Sequence, residues 1–350
     1  MTGKDGGGTW TSPDNLGQQE QDFDRALRPK SLSEFVGQDR LRANLSVAIE
    51  AARGREEPLD HILFCGPPGL GKTSLAFLLA AEMGGDILVS SGPALSSPKD
   101  LVGLLTRLER GDILFLDEIH RLPRSVEEFL YSAMEDQAID VTLDQGPAAR
   151  SLRLHLNPFT LVGATTREGL LAAPFRARFG IVERLEPYPV ADLVAILQRA
   201  SVLLGIETDF DAADAIAHRS RGVPRITLRL QRRLRDLAQV RKRSSIDLQI
   251  CHEGIRALGI DDLGLENLDR ELLQALIQRG GGQVGLKTLA ACVGESEDTL
   301  EVVYEPYLLR LGFLSRTPRG RVATRKAFEH MGAELPTRDG DQADLYGRQA

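Results

Sequence analysis

The 350-residue chain, 42% hydrophobic and 27% charged, is long enough for two or three globular domains and too apolar to be mostly disordered. Its net charge of −7 excludes a globally basic nucleic-acid binder, so any such contact must come from local basic patches. Three scattered cysteines, Cys65, Cys251 and Cys292, exclude a disulfide framework or a zinc site. With no membrane-length apolar run and no basic-then-apolar leader, the expectation is a cytoplasmic protein that avoids membranes.

In chain order, residues 1–20 are polar and glycine-rich and read as a disordered tail. A first domain, 21–186, opens with an arm at Leu27-Arg28-Pro29-Lys30 that would cover a nucleotide base or cap the core, followed by a helix carrying Leu41, Leu45 and Ile49. The short apolar strand His61–Cys65 then runs into Gly66-Pro-Pro-Gly-Leu-Gly-Lys-Thr73, which fits the phosphate-loop pattern at every fixed position. Leu75, Leu78, Leu79 and Met83 continue it as a helix, so backbone N–H groups and the helix dipole would face phosphate oxygens. Lys72 would contact the β- and γ-phosphates, and the Thr73 hydroxyl would ligate Mg²⁺.

Asp112-Ile-Leu-Phe-Leu-Asp117-Glu118 reads as a buried parallel strand that delivers two carboxylates to the site. Asp117 is expected in the Mg²⁺ shell, and Glu118 would orient or deprotonate the attacking water. Phe159–Thr166 is a third such strand, ending in hydroxyls where a γ-phosphate sensor is needed. Between them, the alternation of Ile139, Val141 and Leu143 and then of Leu152, Leu154 and Leu156 predicts an inserted β-hairpin at about 138–156, either a partner-docking arm or a flap packed on its own core. Past a helix break expected at Pro174, Arg178 suits a finger reaching a neighbouring subunit's nucleotide, or is an ordinary surface arginine.

From 187 to 262 the pattern is helical and predicts a small all-α lid. Residues 219–243 carry ten Arg or Lys and one acid, mostly a solvated face. Arg225, at a helix start, stands where it could report the γ-phosphate to the lid. Residues 263–332 read as three helices, at 269–279, 286–293 and 296–311, and a two-stranded wing, a winged helix, before a polar tail at 333–350. From Arg310 to Phe328 there are six basic residues and no acid, so the wing reads as a positive patch. Gly320 would let the backbone approach a phosphate, with Arg316, Arg319 and Arg321 neutralising phosphates. Protein docking is the other use of such a module.

Together these stretches resemble the RuvB family of AAA+ ATPases, the bacterial motors of Holliday-junction branch migration. The resemblance is carried by Leu27–Lys30, Glu34–Gln38, the phosphate loop, Leu116–Leu122, Ala133–Asp136, Gly146–Arg150, Gly163–Arg167, Arg178–Val182, Glu305–Leu308 and Arg316–Thr324. It implies a six-membered ring around duplex DNA that hydrolyses ATP with Mg²⁺, works with RuvA bound through the hairpin, and precedes resolution by RuvC. It further implies that Leu27, Arg28 and Tyr188 line the nucleotide pocket and that Gly69, Leu70, Gly71, Lys72, Thr73 and Ser74 contact phosphates. Glu135, Asp136 and Gln137 fall near the subunit interface as further nucleotide contacts. Arg178 takes the role of finger, Thr165 or Thr166 that of first sensor and Arg225 that of second, with Arg316 and Arg321 on DNA. Gln137 departs from the aromatic residue usual in the family, Ser74 replaces a common Thr, and the N-terminal extension has no assigned counterpart. A protein remodeller and a non-hydrolysing operator-binding regulator are the alternatives. The basic wing weighs against the first, and Lys72, Asp117, Glu118 and Arg178 weigh against the second.

Overall fold

The structure, a computed structural model, describes residues 27–142, 151–280 and 282–335. The expected tail at 1–20, the hairpin tip with Gly146–Arg150 and most of the polar tail at 333–350 lie outside the described residues. Residues 27–188 and 189–335 form two compact units.

The first unit is built on a parallel sheet. Its elements are α1 (Asp39–Arg55), β1 (Ile62–Cys65), α2 (Lys72–Met83), β2 (Ile87–Ser91), α3 (Pro98–Leu105), β3 (Ile113–Asp117), α4 (Arg124–Asp136), β4 (Ala138–Thr142), β5 (Ser151–His155), β6 (Thr160–Thr165), α5 (Ala173–Arg176) and β7 (Ile181–Arg184). The strand order is β2-β3-β6-β1-β7. The uninterrupted apolar runs of β1, β3 and β6 suit strands covered on both faces, and those three are the interior strands. Ile113, Leu114, Phe115 and Leu116 have no exposed surface, each burial contributing about 1.5–3 kcal/mol. The register pairs Cys65 with Thr165 and Leu116 with Gly163, so the three strands end together on one edge.

The hairpin β4/β5 is antiparallel and pairs Ile139 with Leu154. Its base is anchored, because Ile139 and Leu156 join the core and Leu154 packs against it, whereas Leu152 is exposed. Pro174 opens the short helix α5 instead of breaking one; its missing N–H costs nothing in a first turn, where that donor has no partner anyway.

The second unit begins with α6 (Val190–Leu204), β8 (Glu207–Thr208), α7 (Phe210–Arg219), α8 (Pro224–Val240), β9 (Ser245–Ile246) and α9 (Leu248–Ala257). The expected all-α lid therefore also carries a two-residue parallel pair, β8 with β9. On α8 the buried stripe keeps Leu230 and Leu234 and includes Thr227 and Gln231. The Gln231 amide donates to Leu197 O, Ser201 Oγ and Thr208 Oγ1, which locks α6, β8 and α8 together.

The winged helix follows as α10 (Asn267–Ile277), α11 (Leu286–Val293), α12 (Glu297–Thr299), α13 (Glu305–Arg310), β10 (Leu314–Thr317), β11 (Gly320–Ala323) and α14 (Arg325–His330). The single helix expected over Ser296–Leu311 is interrupted by a π-helical segment, Leu300–Tyr304, just before Pro306. Proline has no N–H for the preceding turn and its ring crowds that turn, so the backbone widens there.

Lid and winged helix meet at a buried ion pair that the sequence did not announce. Arg221 adopts a left-handed conformation (φ 57°) and is 5% exposed. Its guanidinium donates to Asp269 Oδ2 at 2.5 Å and to Gly264 O at 2.9 Å, lies 3.7 Å from Glu266 and stacks on Tyr307. Arg310 donates back to the Arg221 carbonyl. Asp269 has no exposed surface, so removing its partner strands a charge in the interior. Arg221→Ala is expected to cost about 3–5 kcal/mol in chemical unfolding of the full chain, and Arg221→Met with Asp269→Leu to recover most of that loss.

Candidate nucleotide site and DNA-binding wing

The phosphate loop joins β1 to α2. Its first glycine is dictated by close approach: Gly66 has φ 140°, and an added Cβ would fall 2.7 Å from Leu185 O. Gly71 caps α2 in the left-handed region without any side-chain hydrogen bond, and the first helical bond runs from Leu75 N–H to Gly71 O at 2.9 Å. The N–H groups of Lys72, Thr73 and Ser74 are thus first-turn donors with no intrahelical acceptor, at the positive end of the helix dipole. Lys72 is 7% exposed, and its ammonium donates to Gly66 O at 2.7 Å and Pro67 O at 2.8 Å. An uncapped helix start beside a buried ammonium fits an anion of the phosphate class.

The arm upstream packs on this helix. Leu27 is buried, Arg28 stacks 4.5 Å over Phe77, Leu32 N–H donates to Glu82, and the Phe35 ring lies against Gly71. From the other side, buried Tyr188 donates its hydroxyl to Leu70 O at 3.1 Å. Tyr188 and Phe35 therefore meet the loop at Leu70 and Gly71, while Arg28 packs on the helix that follows it.

Asp117 ends β3 and accepts from Glu118 N–H at 2.9 Å. Glu118 has φ 48°, and its carboxylate pairs with Arg121 at 2.9 Å. Thr165, 1% exposed, ends β6; its hydroxyl accepts from Arg167 N–H and meets His120 Nδ1 at 3.0 Å, whereas Thr166 lies beyond the strand. His120 was not singled out from the sequence. The signal was its place three residues after Asp117, where the turn swings it onto the neighbouring strand. Burial lowers the His120 pKa against the opposing pull of Glu118. Burial and nearby Glu168 push the Cys65 thiol up to about 12, so this cysteine beside the loop stays protonated. Among the described residues, no cluster of three or more His, Cys, Asp or Glu could hold a metal. Thr73 with Asp117 is a hard-oxygen pair of the sort Mg²⁺ uses when phosphates supply its other ligands.

Arg178 is held by its own neighbours in the chain: it donates to Pro174 O at 2.7 Å, pairs with Glu135 at 3.0 Å and stacks 4.4 Å over Tyr131. Asp136 pairs with Arg153 of the hairpin, and Gln137 caps α4 with φ 49°, its carbonyl accepting from Leu156. Arg225 occupies the first turn of α8, in the second unit.

The wing differs from the sequence reading in two ways. Arg316 and Arg321 face each other across β10/β11 and are held by Glu305, a 2%-exposed carboxylate from α13, so the patch is not free of acids. Glu305 lies outside the stretch from Arg310 to Phe328, and only folding brings it there. Gly320 (φ 144°) answers to Val284, whose carbonyl would lie 2.4 Å from an added Cβ, and so accommodates the chain's own backbone instead of a phosphate. Arg319 is exposed at the turn.

Three family models match in succession: the Holliday junction DNA helicase RuvB P-loop domain over residues 27–185, the RuvB AAA lid domain over 188–261 and the RuvB C-terminal winged helix domain over 262–332. The chain belongs to the RuvB family. It is 54% identical over 322 residues to the Holliday junction branch migration complex subunit RuvB of Prosthecochloris aestuarii, covering 92% of this chain and 94% of that one. The Thermotoga maritima RuvB Holliday junction branch migration motor superposes with a TM-score of 0.81 at 51% identity, covering 89% of this chain and all of that one. A Thermotoga maritima RuvB mutant gives 0.83 at the same identity and share of this chain, and 99% of its own. As a RuvB-family protein the chain is a nucleotide-binding P-loop ATPase of the AAA+ class.

His61, at the foot of β1 and away from the nucleotide edge, ties β6 to α4: its Nδ1 accepts from Leu161 N–H at 2.9 Å, so Nε2 carries the proton toward Met134 O. Burial lowers its pKa below the ordinary 6.5, against the weaker pull of Met134 O and Asp60. The unfolded chain therefore takes up this proton first, and the stability contributed by neutral His61 is complete above pH 6.5 and lost as pH falls below it. Thermal unfolding midpoints should decline below about pH 6.5, and more shallowly in His61→Gln.

Proposed function

We propose that this chain is an ATP-driven DNA translocase that migrates Holliday junctions in recombination and repair, as a hexameric ring acting with RuvA and RuvC. The observation that carries the ATPase half is the uncapped start of α2 beside buried Lys72, facing the strand ends that bear Asp117 and Thr165. The DNA half draws on the winged helix and on the names of the relatives. We assign residues 21–186 to the ATPase domain, 187–262 to the lid and 263–332 to the winged helix.

In this reading the backbone N–H groups from Gly69 to Ser74 and the Lys72 ammonium hold the phosphates, and Leu27, Arg28 and Tyr188 enclose the rest of the nucleotide. Thr73 and Asp117 would hold Mg²⁺, which when bound neutralises charge on the phosphates. Glu118 turns from Arg121 to accept a proton from the attacking water, and Thr165 orients the terminal phosphate. Arg178 leaves Glu135 and Tyr131 to reach the neighbouring subunit's site, where Glu135, Asp136 and Gln137 also contribute. An arginine finger supplies about 10³–10⁵ in rate, so assembly and hydrolysis are coupled. Arg225 acts as the second sensor, exposed Leu152 on the hairpin serves RuvA docking, and Arg316, Arg321 and Arg319 grip the backbone without reading bases.

The direct test is ATP-dependent migration of a synthetic four-way junction by purified protein with RuvA; no migration in the presence of ATP hydrolysis would sink the reading. Arg178→Ala and Glu118→Gln proteins, each inactive alone, should regain part of the hydrolysis when mixed, since an intact site forms at mixed interfaces. Absence of any rescue would place the finger within one subunit. Arg316→Ala, which leaves Glu305 its Arg321 partner, should weaken binding alike on unrelated duplexes and flatten the dependence of log K on log salt by about one.

A further inference from the structure

We infer that Glu305 is a positioning residue for the DNA grip: a buried carboxylate that holds Arg316 and Arg321 as one fork and caps the positive charge they offer to a phosphate. The inference rests on the wing being the DNA-contacting surface. Arg316 and Arg321 are direct cross-strand partners, where like charges repel. Glu305 resolves the conflict by accepting from both. Its Oε1 takes Arg321 Nε at 2.6 Å, and its Oε2 takes Arg316 Nη2 at 2.6 Å, Arg316 Nε at 2.9 Å and Arg321 Nη2 at 3.2 Å. Glu301, one turn earlier, stands 3.9 Å from Arg316 and 3.8 Å from Arg321.

Each guanidinium has five donors, and Glu305 engages the Nε and Nη2 groups of both, so Nη1 of each lies outside its grip, that of Arg316 3.9 Å from the partly exposed Glu301. The Arg316 side chain is 45% exposed, whereas that of Arg321, at 16%, is recessed. The fork is thus oriented before DNA arrives, which spares the ordering cost of two long side chains. Its net charge is also lowered, because two cations share one buried anion and stand beside a second. Affinity for duplex rises with each phosphate charge neutralised, at about 0.9 in the slope of log K against log salt. A motor that steps along DNA must release every phosphate it grips, and a fork whose charge is compensated by carboxylates releases more readily than two bare arginines.

The test is duplex binding by the full-length protein across a salt series. Glu305→Gln keeps shape and one acceptor but removes the charge; it should steepen the salt slope by about one, and the slope is the readout because unmasked charge and a loosened fork act on affinity at fixed salt in opposite directions. An unchanged or shallower slope with wild-type thermal unfolding overturns the inference. Should Glu305→Gln fail to fold, Glu301→Gln decides, since its half-exposed carboxylate leaves no buried gap: a steeper slope supports the inference and an unchanged one overturns it. Arg316→Ala in the same series separates the two readings. If it leaves the slope unchanged, the wing is not the contact and both fall; if it flattens the slope while neither glutamate variant steepens it, only the Glu305 inference falls.

Discussion

A helix that begins without a cap is an unfinished structure. The first-turn N–H groups of α2 have no carbonyl within the helix to receive them, and Gly71 offers no side chain in its place. Everything nearby serves to hold that incomplete end still. The turn is pinned by Gly66 against Leu185, Leu70 by Tyr188, and the flank of the helix by the arm that carries Arg28 and Phe35. Because β1, β3 and β6 end on the same edge, Asp117 and Thr165 lie beside the same opening. A ligand that completes the helix start is therefore met at once by a carboxylate and a hydroxyl.

The same economy of paired charge recurs in three other places. Arg178 is held by Glu135 over Tyr131, Arg221 by Asp269 at the joint between lid and winged helix, and Arg316 with Arg321 by Glu305. Their burial decides what each can do. Arg178 and Glu135 are partly exposed, so their pair is worth at most about 1 kcal/mol and can be exchanged for another partner. Arg221 and Asp269 are enclosed, and breaking that pair would strand a charge, so the joint acts as a fixed strut. Glu305 lies between these limits, buried itself while its partners reach solvent, which suits a support whose partners change company.

Much of the site was legible because its chemistry is local. Gly66–Thr73 is one loop, and Asp117 and Glu118 are one strand end; apolar runs of four or five residues marked the buried strands. The family resemblance extended this to Arg178 and the wing, whose roles depend on a fold already known. Helix ends were less legible, since Pro306 could be read as a late helix residue where the chain instead widens into a π segment.

By itself, then, the sequence determined the phosphate loop, the carboxylate strand and the inserted hairpin, because each depends on residues within a few positions of one another. Only the tertiary structure decided which charges meet. It set Glu305 beneath two arginines that belong to a seemingly acid-free stretch, joined Arg221 to Asp269 across a domain joint, brought His120 onto Thr165, and gave Gly320 to Val284 instead of a phosphate. Such pairings depend on how separate elements pack. No spacing along the chain encodes the short distance across which a buried carboxylate and a guanidinium finally touch.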